Sequence, residues 1–168
     1  MLSKLHGKLQ SCGLQWWWLA VLVMGLDRVS KLYFETLLGG GNIIQVMPGI
    51  NLALAYNTGA AFSLLHDAGG WQRWFFIVLT LLISGLLVAW LARREARRWR
   101  LGVPLMLVLG GAVGNLVDRI ITGRVVDFID VYYRHWHWPT FNVADSAISI
   151  GVVLLFIESW QSQIKRAE

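Results

Sequence analysis

Long apolar runs separated by short polar clusters dominate this chain. Residues 9–26, 74–92 and 101–117 contain no Asp, Glu, Lys or Arg, and a shorter run, 146–157, is extended by Trp160 and Ile164. A helix of about 20 residues crosses the ~30 Å hydrocarbon layer of a bilayer. The pattern therefore predicts four membrane-spanning helices, over roughly 12–35, 71–92, 101–121 and 145–164, the last one short.

Residues 36–66 are also uncharged but do not read as a span. They contain Gly39-Gly40-Gly41, Asn42, Pro48-Gly49, Asn51, Asn57 and Gly59, and a membrane helix must pair every backbone group internally, which such breakers oppose. Ile50, Leu52, Leu54 and Tyr56 alternate with Asn51, Ala53, Ala55 and Asn57, the period of a half-buried strand. With residues 43–47 and the Pro48-Gly49 turn this predicts a small β-hairpin, followed over residues 60–66 by a short amphipathic helix at the interface. The expected fold is an all-α integral membrane protein, a single domain over residues 1–168, with four transmembrane helices, an extracytoplasmic hairpin or cradle, and an interfacial helix.

Composition supports that reading. Hydrophobic residues are 56% of the 168, charged residues 15%, and the mean hydropathy is +0.53, whereas soluble domains are about 25% charged. This excludes an ordinary soluble domain, and intrinsic disorder with it. Ten Trp suit the lipid–water interface, where an indole can bury its ring and still hydrogen-bond. The net charge of +5 does not point to nucleic acid, because the basic residues sit between apolar runs and form no basic face on a soluble body. Lys4 and Lys8 before an apolar run imitate a secretory signal, but Asp27, Arg28 and Lys31 follow where a small-residue cleavage site would stand. The run is read as a retained anchor.

Arg93, Arg94, Arg97, Arg98 and Arg100 crowd the link between the second and third spans, and Lys165 and Arg166 lie near the end. By the positive-inside rule these, with Lys4 and Lys8, face the cytoplasm. Residues 36–70 hold no Lys or Arg and 122–144 only Arg124 and Arg134, so both segments are expected outside.

Ionisable residues inside a membrane mark function. Asn115, Asp118 and Arg119 stand near the outward end of span three, Asp127 and Asp130 just beyond it, and Asn142 and Asp145 at the start of span four. The expected result is a carboxylate cluster at the outer surface. Two adjacent carboxylates share a proton, so one acts as general base on a water and the other as general acid, chemistry that suits peptide hydrolysis without a metal. Asn142 is a good helix N-cap, which puts Asp145 in the first turn, and Asp127 in its apolar run is the harder acid to ionise.

On residues alone Asp118 and Asp130 compete with these two, and catalysis and structural capping stand level. Asp118 next to Arg119 reads as a structural ion pair. Asp27 and Lys31, at i and i+4, read as helix stabilisation, and Gly110, Gly111 and Gly114 as close helix packing. His135 and His137 amid Trp136 and Trp138 read as an interfacial loop rather than a zinc site, which needs three or four ligands. A proton-coupled transporter is the competing class, but its sites usually lie at the midplane between repeated halves. This chain shows no repeat. A lipid-binding scaffold is a third class, and would not need the Asp127 and Asp145 combination.

Five blocks decide between these classes. Asp27-Arg28-Val29-Ser30-Lys31, Asn57-Thr58-Gly59-Ala60-Ala61-Phe62, the run from Gly110 through Asn115 to Asp118-Arg119, Val125-Val126-Asp127-Phe128-Ile129-Asp130 and Phe141-Asn142-Val143-Ala144-Asp145 resemble, in order, the motifs of the bacterial lipoprotein signal peptidases (signal peptidase II). The resemblance implies a four-helix aspartic endopeptidase of the bacterial cytoplasmic (inner) membrane, both termini inside and the active site at the outer face. It cuts diacylglyceryl-modified prolipoproteins just before the lipidated cysteine. The resemblance places the catalytic pair at Asp127 and Asp145 and the substrate-holding residues at Asn57, Asn115, Arg119 and Asn142, and leaves Asp27, Lys31 and Asp118 as structural polar residues. It implies no metal and no cofactor, membrane lipids as surroundings, and the cyclic peptide globomycin as an inhibitor.

Overall fold

The computed structural model describes residues 12–59 and 70–167; the interfacial helix expected over 60–66 lies outside them. Helix α1 (Trp17–Leu38) follows a 3-10 turn at Gly13–Trp16. It ends at Gly39-Gly40-Gly41, where the Gly41 amide donates to the Leu38 carbonyl at 3.0 Å. Strands β1 (Ile43–Met47) and β2 (Ile50–Asn57) form the expected hairpin. Its two-residue link suits Pro48, which presets φ, and Gly49, whose φ of +92° a side chain would strain.

Helix α2 (Trp71–Leu91) and helix α3 (Trp99–Ile121) follow, joined by a 3-10 turn at Arg94–Arg97. Strand β3 (Val125–Tyr133), the two-residue strand β4 (Trp136–His137) and helix α4 (Val143–Ala167) complete the chain. The four strands make one antiparallel order, β1-β2-β3-β4. Chain order puts the sheet at the end of the bundle where α1 and α3 finish and α2 and α4 start. The sequence reading found the hairpin but neither β3 nor β4. His135 and His137 were expected in a loop, whereas His137 pairs with Tyr132 in the β4 ladder.

Among the described residues, α2, α3 and the Val143–Ile164 part of α4 are long and apolar enough to cross a membrane by length and composition. At 1.5 Å per residue α2 reaches roughly 32 Å. Helix α1 is as long, but carries Asp27, Arg28 and Lys31 in its middle. Helix α3 is the central element, largely enclosed by the others, while α2 and α4 leave most of their apolar surface open. On α2, Trp74, Val78, Leu82 and Leu86 are all at least 60% exposed. Such a face suits lipid and not water.

Glycine sets how closely the helices meet. A Cβ at Gly110 would press on the backbone of Ala20 in α1, and one at Gly111 would run into the Ala144 carbonyl oxygen in α4. Small residues allow this approach where lipid tails compete for every apolar face. At the opposite end from the sheet, Ala20, Leu87, Leu91, Ala96, Leu105 and Met106 form an apolar cluster linking α1, α2 and α3. Gln15 and Trp16 donate to the Arg97 carbonyl at 2.8 and 3.3 Å, tying the two 3-10 turns together.

A Gly111→Ala variant is expected to lose roughly 1–3 kcal/mol of stability by overpacking. Gly85 has open space around its Cβ position, so Gly85→Ala should leave stability equal or up to about 1 kcal/mol higher by helix propensity. Thermal unfolding of both variants in the same detergent checks the contrast.

Candidate active site

The site is built around the start of α4. Asn142 is its N-cap: the Asn142 side-chain oxygen accepts from the Asp145 amide at 2.9 Å, and the Asn142 amide donates back to Asp145 Oδ2 at 3.2 Å. Asn142 is thus the expected N-cap with Asp145 in the first turn, and the return bond from Asp145 makes it a reciprocal capping box that satisfies two otherwise orphaned amides. The segment before the cap is stitched to β3, because the Phe128 and Ile129 amides both donate to the Phe141 carbonyl and the Phe141 amide donates to the Ile129 carbonyl. That stitching carries Asn142 to Asp127. Asn142 Nδ2 donates to Asp127 Oδ1 at 2.6 Å and reaches the Val126 carbonyl at 3.2 Å.

One residue thus contacts both candidate carboxylates. Asn57 also hydrogen-bonds Asp127, its own Oδ1 being occupied by the Gly59 amide at 3.0 Å. Asn115, on α3, donates from Nδ2 to Asp145 Oδ1 at 2.7 Å, and its Oδ1 accepts from Asn142 Nδ2 at 3.2 Å and from Lys31 Nζ at 2.9 Å.

Behind this layer lies a buried ion cluster. Lys31, fully enclosed at 0% exposure, places its ammonium 2.7 Å from Asp27 Oδ2 and 2.7 Å from Asp118 Oδ2. Arg28 adds a contact to Asp118 Oδ1 at 3.3 Å. Asp27 also caps α4, since its Oδ1 accepts from the Ala144 amide at 3.0 Å. A side chain at Gly114 would strike the Asp27 carboxylate. Removing one member of such a cluster leaves an uncompensated buried charge, typically at a cost of about 3–5 kcal/mol.

The expected Asp118–Arg119 ion pair is not formed. Adjacent helical residues point in different directions, so Asp118 turns to Lys31 and Arg28 while Arg119 turns the other way. Arg119 donates to the Gly59 carbonyl at 3.3 Å and lies 5.1 Å from the Phe76 ring centre. Its position is fixed by Arg73, which donates to the Arg119 and Ile120 carbonyls, both at 2.8 Å. Asp130, the competing carboxylate, lies elsewhere: it accepts from Asn51 at 3.0 Å and pairs with His137 Nδ1 at 2.8 Å. Three residues apart on a strand, Asp127 and Asp130 belong to opposite faces.

A cavity of about 520 Å³ opens beside the cluster, lined by Asn57, Asn115, Arg119 and Asp145 together with Trp138, Phe141, Ser146 and Ile150 among others. Trp138, Phe141 and Ser146 were not anticipated; their signal was position, flanking the N-cap. Among the described residues no three His, Cys, Asp or Glu side chains gather as a metal site requires. Burial, reinforced by the negative charge of Asp145, pushes the Asp127 carboxyl up to about 7, against the opposing pull of hydrogen bonds from Asn142 and Asn57 and of the Lys31 charge. A carboxyl that holds its proton beside a hydrogen-bonded carboxylate can act as an acid near neutrality.

Comparison with known proteins supplies the context. The family described as Signal peptidase (SPase) II matches residues 19–161. Lipoprotein signal peptidase of Hydrogenovibrio crunogenus is 51% identical over 155 residues, covering 91% of this chain and 90% of the relative. That of Aeromonas hydrophila is 49% identical over 156 residues, covering 92% and 93%. A bacterial membrane enzyme solved by the in meso method at 2.3 Å resolution superposes with a TM-score of 0.78 at 34% identity, over 86% of this chain and 87% of that one.

The raised Asp127 value has a stability consequence with a definite sign. A folded-state value of about 7 against an ordinary 3.8 means the folded protein keeps a proton that the unfolded chain releases. The contribution is full below about pH 4 and is lost as pH rises through about 7. The fall in unfolding temperature between pH 4 and 7 should therefore be smaller in Asp127→Asn than in the parent, measured in one detergent. Parallel curves would remove the assignment of Asp127 as the raised group.

Proposed function

Because this chain belongs to the signal peptidase II family, an aspartic-type peptidase that removes signal peptides from prolipoproteins, we propose that Asp127 and Asp145 are its catalytic pair. The observation that carries the assignment is Asn142, which bonds Asp127 through its side chain and Asp145 through its amide and side-chain oxygen; Asp145 lines the cavity, and Asn142 and Asp127 are buried directly behind it. Asp145, at the first turn of α4, accepts from Asn115 Nδ2 and from the Asn142 amide, donors that match a carboxylate. Asp127, nearly fully buried, is the proton holder.

In this reading Asp145 takes a proton from a water whose oxygen attacks the scissile carbonyl carbon, while Asp127 gives its proton to the carbonyl oxygen. The tetrahedral diol then collapses: Asp127 recovers a proton from a diol hydroxyl as the carbonyl reforms, and Asp145 hands its proton to the leaving nitrogen as the C–N bond breaks. The balance is one water consumed, one acid and one amine formed. Two carboxylates supply both acid and base, so the scheme calls on no metal and no cofactor. Asn57, Asn115, Arg119 and Asn142 hold the substrate backbone, and a guanidinium suits peptide carbonyls as a multi-donor anchor. Asp27, Lys31 and Asp118 pin α1 to α3 and α4.

The same proposal covers placement. All four helices cross the bacterial inner membrane as one domain over residues 1–168, with both termini cytoplasmic and the sheet as a cradle on the outer surface. The Trp distribution supports this: Trp71, Trp74, Trp136 and Trp138 cluster at the sheet end, and Trp16, Trp17, Trp18, Trp90, Trp99 and Trp160 near the other helix ends. These are two aromatic belts. The substrate is a prolipoprotein carrying diacylglyceryl on its cysteine, whose acyl chains stay among membrane lipids and hold the bond just before that cysteine at the outer interface. Globomycin, a cyclic peptide, is the expected blocker.

Asp127→Asn and Asp145→Asn should each lose at least about 10²-fold in cleavage of a diacylglyceryl-modified prolipoprotein while still folding and retaining globomycin. The double variant should be little worse than either single one. Asp130→Asn should keep most activity; a dead Asp130→Asn beside an active Asp127→Asn would overturn the pair. For orientation, His135→Cys should be labelled from outside in intact spheroplasts and Arg93→Cys protected, both in a background where the chain's single cysteine, Cys12, is changed to Ser. The reverse pattern would invert the topology.

A further inference from the structure

Lys31 lies one side chain away from the proposed catalytic carboxylate, yet it touches neither the cavity nor the pair. Its ammonium has three N–H donors and no acceptor, and three oxygens face it: Asp27 Oδ2 and Asp118 Oδ2 at 2.7 Å and Asn115 Oδ1 at 2.9 Å. Because an ammonium can only donate, the Asn115 atom turned toward it must be the carbonyl oxygen. The Asn115 amino group is then left to point at Asp145 Oδ1, 2.7 Å away. Asn142 Nδ2 donates to the same oxygen at the longer distance of 3.2 Å, so Lys31 is the closer and charged of two donors that hold it; without them the carboxamide could equally present its oxygen to Asp145, where it would demand a protonated carboxyl instead of an ionised one.

We propose that Lys31 is a positioning residue for peptide cleavage: acting through Asn115, it keeps Asp145 ionised as the group that takes the proton from the attacking water. This rests on the reading of Asp127 and Asp145 as the catalytic pair. The surrounding charges are consistent with it. From α1, Asp27 and Arg28 face the Lys31 cluster, and from α3, Asp118 does so; three of these charges are buried and the fourth, Arg28, is partly exposed, and together they balance. From the same helix Arg119 lines the cavity with Asp145, and from β3 Asp127 meets Asp145 through Asn142. Lys31 is the cation joined to Asp145 through a single intervening side chain. It also explains why a donor-only group is retained deep in the bundle, where a helix-stabilising pair alone would not need a third acceptor from α3.

Lys31→Met alone leaves Asp27 and Asp118 facing each other and can fail to fold. The charge-balanced double variant Asp27→Asn, Lys31→Met keeps Asp118 with Arg28, and the new Asn still offers an oxygen to the Ala144 amide. With a quenched-fluorophore peptide carrying diacylglyceryl-cysteine as probe, this variant should show kcat reduced at least about tenfold with KM little changed. The acidic limb of its pH profile should move up by about one unit, as loss of a nearby opposite charge requires. Adding Asn115→Ala should cost nothing more than Asn115→Ala costs by itself, because the lysine acts through that residue. Asp27→Asn alone serves as the control: it removes a like charge and leaves Lys31 on Asn115, so its acidic limb should not move up. A double variant with an unmoved acidic limb, or with losses additive to those of Asn115→Ala, overturns the role of Lys31. Asp145→Asn run in the same assay separates the two readings, since activity surviving there removes the catalytic pair itself.

Discussion

A hydrocarbon layer offers no water to a stray polar group, so every charge placed inside this bundle must find its partner within the protein. That constraint organises the structure. Asp27, Arg28, Lys31 and Asp118 neutralise one another across α1 and α3, and the second oxygen of Asp27 is spent on a helix cap. Asp27 reaches the first turn of α4; Lys31 reaches Asn115. The ion cluster is therefore the fastening between three helices, and glycine at 114 is what lets the fastening close.

The polar site grows outward from that fastening in steps of one hydrogen bond. Lys31 orients Asn115, Asn115 donates to Asp145, Asn142 caps α4 with Asp145 and donates to Asp127, and Asn57 closes the far side. Secondary-structure chemistry and the proposed reaction chemistry share the same atoms here. A capping box ordinarily stabilises a helix end and does no more; this one also links two acids, Asp145 at the edge of a cavity and Asp127 buried behind it.

Much of this was legible in the chain because it depends on local spacing. Apolar runs between arginine clusters marked the helices, Pro48-Gly49 between alternating residues marked the hairpin, and Asn142 three residues before Asp145 marked the cap. What escaped was set by distant contacts. Strand β3 has Val125, Val126, Asp127 and Phe128 all buried, so it lacks the alternation by which β2 was found. Strand β4 is two residues long and exists only through its ladder to β3. The Asp118–Arg119 pairing failed because adjacency in sequence was taken for adjacency in space. The partners of Asp118 are 87 and 90 positions away, at Lys31 and Arg28 (118 − 31 and 118 − 28). The role of Asn142 as a bridge to Asp127 likewise needed the Ile129–Phe141 stitch, which no motif announces.

The pairing of β2 with β3 and the dependence of Asp127 on Asn142 carry a consequence for biosynthesis. A chain made and inserted from its N-terminus exposes Asn57 long before β3 exists, and completes β3 before α4 has been translated. Asp127 then has neither its bridging amide nor its partner carboxylate. The contacts that bridge Asp127 to Asp145 therefore arrive in one step, with the last helix, and cannot exist in a chain that still lacks it.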